Sequence, residues 1–347
     1  MKNVLVTGGS GFIGFNFINC LLEQCPDVRA INLDKLTYAG NPDGLRDIRY
    51  PWRYIFIPGD ICSPRVFNIL KEFQIDTIVN FAAETHIDKS IDSPYEFLKT
   101  NIFGTYNLLE CAKKWGKLER FHHISTDEVF GTLEGMEDLA FSETTCYQPN
   151  TPYAATKASS DLICRSYFKT YGMPITISNC SNNYGIYQFP EKLIPMTIYN
   201  AVNGKPILVH GDGDHVRDWL YVDDHCDAIL RILESGQIGQ TYNIGGESPR
   251  TTLEVVETVS RILDAVYQPA EDNKFMTLVK FVNDRPGNDL CYMMDISYIR
   301  QELGWSPEHK FEEGLRETVM WYINNWQWLE NAINRPEHVN WIKKHNL

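Results

Sequence analysis

Tyr153 and Lys157 stand four residues apart in Tyr153-Ala154-Ala155-Thr156-Lys157, a spacing that puts both side chains on one face of a helix. A cation beside a phenol stabilises the phenolate and lowers a pKa that is ordinarily about 10. Such a tyrosine can take a proton from a substrate hydroxyl while hydride leaves for a nicotinamide. Tyr153 follows Thr126 by 27 residues, in the run Ser125-Thr126-Asp127-Glu128. Thr126 offers a hydroxyl to a substrate oxygen. Asp127 and Glu128 make an acid/base pair, which simple alcohol oxidation does not need; on its own the run also reads as a helix cap or an acidic turn. Near the start, Gly8-Gly9-Ser10-Gly11-Phe12-Ile13-Gly14 reads as G-x-G-x-x-G on Gly9, Gly11 and Gly14, or as G-x-x-G-x-x-G on Gly8, Gly11 and Gly14. Glycines there let the backbone approach a pyrophosphate at a helix N-terminus. Asp34, twenty residues beyond Gly14, is placed for the adenosine ribose hydroxyls and would repel a 2′-phosphate, which selects NAD over NADP.

The surrounding pattern supplies the elements these residues need. Short apolar runs at Val4–Thr7, Ala30–Leu33, Tyr54–Ile57, Thr77–Phe81, Phe121–Ile124 and Ile175–Ser178 read as strands. Helical periodicity covers Phe12 to Glu23, Asn101 to Lys114 (with Leu108, Cys111 and Ala112 on one face) and Tyr153 to Tyr171. Strand and helix in this alternation predict an α/β fold, a doubly wound parallel sheet of Rossmann type with helices on both faces. After about Asn182 the rhythm changes. Pro190, Pro195, Pro206 and the loop Gly211-Asp212-Gly213-Asp214 break it, as expected where a smaller C-terminal substrate-binding lobe begins. Helices return near Thr252–Val266 and from Phe311, where Phe311, Leu315, Val319 and Tyr322 share a stripe. The expected division is residues 1–182 for the dinucleotide, including the Tyr–Lys helix, residues 183–330 mainly for the substrate, and 331–347 as a docked extension.

The 347 residues are 43% apolar and 22% charged, with a net charge of −13. That acidity argues against nucleic acid or an anionic membrane as partner, while allowing a local basic pocket. No apolar run approaches the roughly 18 residues of a membrane span. The first residues are too short an apolar stretch for a signal peptide, so a cytoplasmic location is expected. The nine cysteines are scattered, with no C-x-x-C pair; reduced, mostly buried thiols are the expectation. His122 and His123 are adjacent and point to opposite sides of a strand, and no H-E-x-x-H occurs, so no metal is expected.

Taken together, the residues resemble the extended short-chain dehydrogenase/reductase family, and within it the nucleotide-sugar 4,6-dehydratases. The resemblance runs to about residue 328. It rests on Leu33 to Gly40, Ala82-Ala83-Glu84-Thr85-His86, Thr126-Asp127-Glu128, Tyr153 with Lys157, Asn179 to Gly185, Phe189 to Pro195, Arg217 to Val222, Tyr242 to Gly246, and Asp284-Arg285-Pro286-Gly287. It implies bound NAD and an internal redox cycle. In that cycle Tyr153, with Lys157 and Thr126, oxidises C4 of a nucleoside-diphospho-glucose (dTDP-glucose before UDP-glucose), Glu128 takes the C5 proton, and Asp127 protonates the departing C6 hydroxyl. Beyond the glycines, the resemblance implies cofactor contacts at Phe12, Ile13, Asp34, Lys35, Leu36, Thr37, Asp60, Ile61, Ala82, Ala83, Thr100, Tyr153, Lys157 and Asn183. It implies sugar-nucleotide contacts at Thr85, Thr126, Asn182, Lys192, Leu193, Arg217, Arg285 and Asn288, and a homodimer paired through the helices near 101–114 and 153–171. Arg217 suits a diphosphate clamp; from its neighbours alone, a salt bridge with Asp218 or Asp223 serves equally. Phe130, Thr252, Asn288 and Cys291 depart from the pattern, the last three in the nucleotide lobe, where they bear on thymine against uracil. A 4-epimerase would share the cofactor and Tyr–Lys motifs but leave Asp127 and Glu128 without a task, and a non-catalytic NAD-binding protein would need neither.

Overall fold

The computed structural model describes residues 1–41, 44, 47–133, 140–270, 272, 274–284 and 287–345, with 341–345 by backbone only. Seven parallel strands form the central sheet: β1 (Asn3–Thr7), β2 (Arg29–Asp34), β3 (Tyr54–Pro58), β4 (Thr77–Asn80), β5 (Arg120–Thr126), β6 (Ile175–Cys180) and, returning later, Thr241–Ile244. The order across the sheet is Thr241–Ile244, β6, β5, β4, β1, β2, β3. The intervening helices are α1 (Phe12–Gln24), α2 (Arg65–Glu72), α3 (Ile87–Asp92), α4 (Tyr95–Phe97), α5 (Thr105–Trp115) and α6 (Pro152–Tyr171).

The hydrophobic pattern explains the layering. β1 is fully buried at Val4, Leu5 and Val6, as a parallel strand covered on both faces must be. Val4 and Val6 join Phe15, Phe17 and Ile18 of α1 on one face. Leu5 joins Val66 and Leu70 of α2, Leu108 of α5 and Cys164 of α6 on the other. Strand order reverses at β1, which pairs with β4 on one side and β2 on the other. A cleft outside the carboxyl ends of the strands opens at such a switch point.

Later elements are β7 (Asn182–Tyr184), α7 (Leu193–Val202), β8 (Ile207–His210), β9 (Val216–Tyr221), α8 (Val222–Ser235), β10 (Thr241–Ile244), β11 (Pro249–Thr251), α9 (Thr252–Tyr267), β12 (Val279–Val282), α10 (Ser297–Leu303), α11 (Phe311–Asn324), α12 (Trp326–Ile333) and α13 (Pro336–His345). The second lobe holds the β11-β9-β7 sheet and the β12-β8 pair. Its core joins α7, α9 and α11 through Ile194, Ile198, Val255, Val259, Leu315 and Val319.

Two sequence expectations need correcting. The lobes are not divided at residue 182, because α8 packs on α1 and β10 pairs with β6. Residues 222–244 therefore rejoin the large sheet as a helix and a parallel edge strand. Four residues followed by two glycines carry too little periodicity to announce that return. The helix expected from Asn101 begins earlier, as a π-helical stretch Leu98–Gly104 that runs directly into α5. All nine cysteines are free thiols; four are buried, four half-buried and Cys146 is exposed.

Candidate active site

The glycine turn brings backbone where side chains would block it. Gly8 has φ +69, and an added Cβ would stand 2.7 Å from the Ala82 amide nitrogen. A Cβ on Gly14 would stand 2.5 Å from the Gly8 carbonyl oxygen. The turn is closed by the Gly8 amide donating to the Leu33 carbonyl (3.0 Å) and the Gly11 amide donating to that of Gly8 (3.0 Å). α1 starts at Gly11 without a side-chain cap, which leaves its first amides for an anion. Asp34, at the end of β2, accepts from the amides of Ser10 (2.9 Å) and Leu36 (2.8 Å). Its burial raises its pKa, and those two amides and Lys35 oppose the rise. A cradle that any Cβ would fill, an open helix N-terminus and this carboxylate fit a dinucleotide.

One continuous cleft takes in every cofactor residue expected from the sequence except Leu36, together with Thr85, Thr126, Asp127, Glu128, Asn182 and Lys192. Leu36 takes a left-handed backbone (φ +53) and lies outside this lining. Thr151 caps α6 by accepting from the Ala154 amide (3.1 Å), with Pro152 in the first turn. Tyr153 is buried, its ring edge-on to Phe97 at 6.4 Å. Asn101, which sequence reasoning missed, donates to Thr156 (2.9 Å) and exchanges hydrogen bonds with the Glu84 backbone. It thereby ties α6 to the loop after β4. It sits in the π-helical stretch, a geometry often found at functional sites.

The Lys157 ammonium donates to the Ile124 carbonyl at 2.6 Å. The Tyr153 phenol is pushed well above its ordinary pKa by burial, then by Glu128, Cys180 and Asp127, with a hydrogen bond between it and Thr126 opposing. Burial, the largest of these causes, therefore favours the protonated phenol in this state. The i,i+4 spacing put the pair on one face but could not say which carbonyl would claim the cation.

Thr126 ends β5 and caps the single 3₁₀ turn Asp127–Phe130, its hydroxyl accepting from the Glu128 amide (3.4 Å) and donating to Asp127 Oδ1 (3.2 Å). The capping role and the cleft-facing role coexist. Asp127 is 2% exposed, and burial and then Glu128 push its pKa well up, against Arg217 and Thr126. Its Oδ2 and the Asn182 Oδ1 are buried without a hydrogen-bond partner among the described residues, as expected of polar atoms awaiting a ligand. Asn183 is held by His225 Nδ1–H (2.8 Å) and by its own bond to the Ser181 carbonyl (2.9 Å). Lys192 donates to the Thr85 carbonyl (3.3 Å).

Arg217 lies in the second lobe, outside the cleft lining. Its guanidinium donates to the Val216 (2.8 Å) and Asp289 (2.8 Å) carbonyls and to Asn288 Oδ1 (3.3 Å), and stacks over Tyr292 at 4.3 Å. The Asp218 carboxylate instead accepts from the Gly246 and Ser248 amides. These acceptors are neutral. Leu193 opens α7 and packs against the second lobe's core, and Arg285 lies outside the described residues. Among the described residues, no group of three or more His, Cys, Asp or Glu gathers for a metal.

Comparison with known proteins bears on this geometry. The family model described as GDP-mannose 4,6 dehydratase matches residues 5–318. A dTDP-glucose 4,6-dehydratase of Neisseria meningitidis serogroup B is 46% identical over 345 residues, 96% of this chain and 97% of that protein. The crystal structure of dTDP-glucose 4,6-dehydratase from Streptomyces venezuelae, with NAD and TYD bound, superposes with a TM-score of 0.88 at 41% identity, covering 95% of this chain and all of that one. The UDP-glucose 4-epimerase of Thermotoga maritima shares the fold at a TM-score of 0.81 but only 26% identity, over 94% of this chain and all of that one.

Proposed function

The chain belongs to the dTDP-glucose 4,6-dehydratase family, and from that premise we propose how its own residues divide the work. It is a hydro-lyase that uses NAD and converts dTDP-glucose to dTDP-4-keto-6-deoxyglucose. NAD, when bound, supplies a reversible store for the hydride and, oxidised, a positive ring in the cleft. The fit of the Gly8–Gly14 cradle and Asp34 supports its seat along β1, α1 and β2.

Tyr153 accepts the proton of the C4 hydroxyl, with Thr126 hydrogen-bonded to the phenol and Lys157 holding the β5 backbone at Ile124. The C4 ketone acidifies the C5 hydrogen, which Glu128 removes. Asp127 delivers its proton to the C6 hydroxyl, which leaves as water. The observation that carries this reading is Asp127, a buried carboxyl lying beside Glu128 at the end of β5, whose pKa is pushed up by that burial and by Glu128, because elimination needs one acid and one base at adjacent carbons. Arg217, on the Asp127 side of the second lobe, clamps the diphosphate.

Incubation with dTDP-glucose and with UDP-glucose, followed by mass, tests this. Loss of water from dTDP-glucose is expected, together with release of nicotinamide nucleotide when extensively dialysed protein is denatured. An unchanged mass with a new isomer would make the protein an epimerase; faster dehydration of UDP-glucose would reverse the nucleotide preference.

We further read the protein as a cytoplasmic homodimer. Large apolar side chains are exposed on the π-helical stretch, α5 and α6, among them Phe103 at 63% and Leu162 at 58%, which supports pairing through that face. Light scattering should give twice the mass of one chain, and the Phe103→Glu/Leu162→Glu protein half of that. A parent protein of single-chain mass would end the dimer reading. No described helix is long and apolar enough to cross a membrane, and cell fractionation checks the location.

A further inference from the structure

The loop from Lys35 to Asn41 is held from both sides. Lys35, Thr37, Ala39 and Gly40 face the cleft, beside the Asp34 end of the dinucleotide seat. From behind, the segment between α12 and α13 grips the loop's backbone. The Arg335 guanidinium donates to the carbonyls of Tyr38 (2.9 Å) and Gly40. The Trp328 indole N–H donates to Asn41 Oδ1 (3.2 Å), and the Asn41 amide donates to the Ser10 carbonyl (2.7 Å), which links the loop to the glycine turn. Phe189 is the common support: the Tyr38 ring packs on it edge-on (5.6 Å), the buried His338 ring does the same (5.3 Å), and the Arg335 guanidinium lies 5.4 Å from its centre.

We propose that Arg335 is a positioning residue for cofactor retention, holding the Lys35–Asn41 loop against the adenosine end of the bound dinucleotide so that exchange requires the C-terminal segment to let go. The proposal rests on the reading that the Gly8–Gly14 turn and Asp34 seat NAD. Its physical basis is that one guanidinium nitrogen commits both its protons to loop carbonyls, in directions fixed by the guanidinium plane, where the donors of an ammonium rotate freely. A carbonyl pair fixed in this way cannot swing outward with the loop. The arrangement suits an enzyme whose hydride returns within each turnover and which gains nothing from releasing its cofactor.

The test compares full-length parent, Arg335→Ala, Arg335→Lys and Asp34→Ala proteins, each loaded with NAD and diluted, with nicotinamide nucleotide release followed in time. Arg335→Ala is expected to release NAD about 10-fold faster or more, equivalent to about 1.4 kcal/mol. Its kcat at saturating NAD and its KM for dTDP-glucose should stay within about twofold, since Arg335 lies outside the cleft, and Arg335→Lys should fall between it and the parent. Parental release from Arg335→Ala alongside fast release from Asp34→Ala would overturn the role of Arg335 and leave the NAD seat standing. Parental release from both would overturn the seat as well. A raised KM for dTDP-glucose with a falling melting temperature and unchanged release would mean a merely structural role. Should Arg335→Ala fail to fold, Trp328→Phe removes the indole donor to Asn41 and trims the ring that packs on Tyr187, Trp321 and Tyr322; release about threefold faster is expected by the same scale, and parental release would overturn the proposal.

Discussion

A single turnover of Asp127→Asn in deuterated water should return sugar carrying deuterium at C5, and the same turnover of Glu128→Gln sugar without it. Both proteins keep Tyr153, Lys157 and the dinucleotide seat, so both should oxidise C4 and show reduced nicotinamide by absorbance. With Gln at 128 no group removes the C5 proton, and exchange stops. With Asn at 127 the base remains, C5 exchanges reversibly, and elimination waits for an acid. Overall dehydration should fall by about 100-fold or more in each case, the lower end of what a positioned acid or base contributes. Asn is also close to the protonated carboxyl in shape, so the fold should tolerate it. The pH dependence follows in sign: the Asp127 pKa is raised, so elimination is supported while the carboxyl keeps its proton and declines as pH climbs through that pKa. The opposite isotope pattern would exchange the two roles. Parental rates in both variants would reduce the pair to a strand-end turn and favour epimerase chemistry.

Tyr153→Phe should lower turnover by at least about 100-fold and leave the melting temperature within a few degrees. The ring that packs on Phe97 is preserved, and only the hydroxyl hydrogen-bonded to Thr126 is lost. Because burial and the two acids hold the phenol above its ordinary pKa, the resting protein lacks a phenolate. Bound NAD would supply a lowering through the positive ring of its oxidised nicotinamide. Tyrosine absorbance titrated with and without NAD checks this directly: Tyr153 should ionise at lower pH when NAD is bound. An unchanged titration, or near-normal turnover by Tyr153→Phe, would remove the phenol from the proton path.

Most of the large sheet was legible in the sequence because a parallel strand buried on both faces tends to leave an apolar run, as at Val4–Val6. The amphipathic stripe of Leu108, Cys111 and Ala112 marked α5 for a similar reason. β10 was not legible as a strand of that sheet. Its partner β6 lies some 60 residues earlier, and nothing within Thr241–Ile244 states which sheet it will join. Asn101 was equally silent, since an asparagine inside a helical pattern looks like an exposed polar position. Its bonds to Thr156 and to the Glu84 backbone exist only once α6 and the loop after β4 meet.

By itself the sequence determined what depends on spacing within one element: the glycine turn with Asp34 at the next strand's end, Tyr153 and Lys157 on one helix face, and Thr126-Asp127-Glu128 at the end of a strand. Those features follow from backbone geometry and side-chain size, which are local. The tertiary structure decided the charge states and partners, because these depend on desolvation and on groups distant in the chain. The Asp127 pKa is raised because the fold buries it beside Glu128. Lys157 turns to the Ile124 carbonyl because β5 passes beneath α6. Arg217 is held by the carbonyls of Val216 and Asp289, while Asp218 is occupied by the Gly246 and Ser248 amides. Arg335 meets the Tyr38 and Gly40 carbonyls across nearly the whole chain, an encounter that no local spacing encodes.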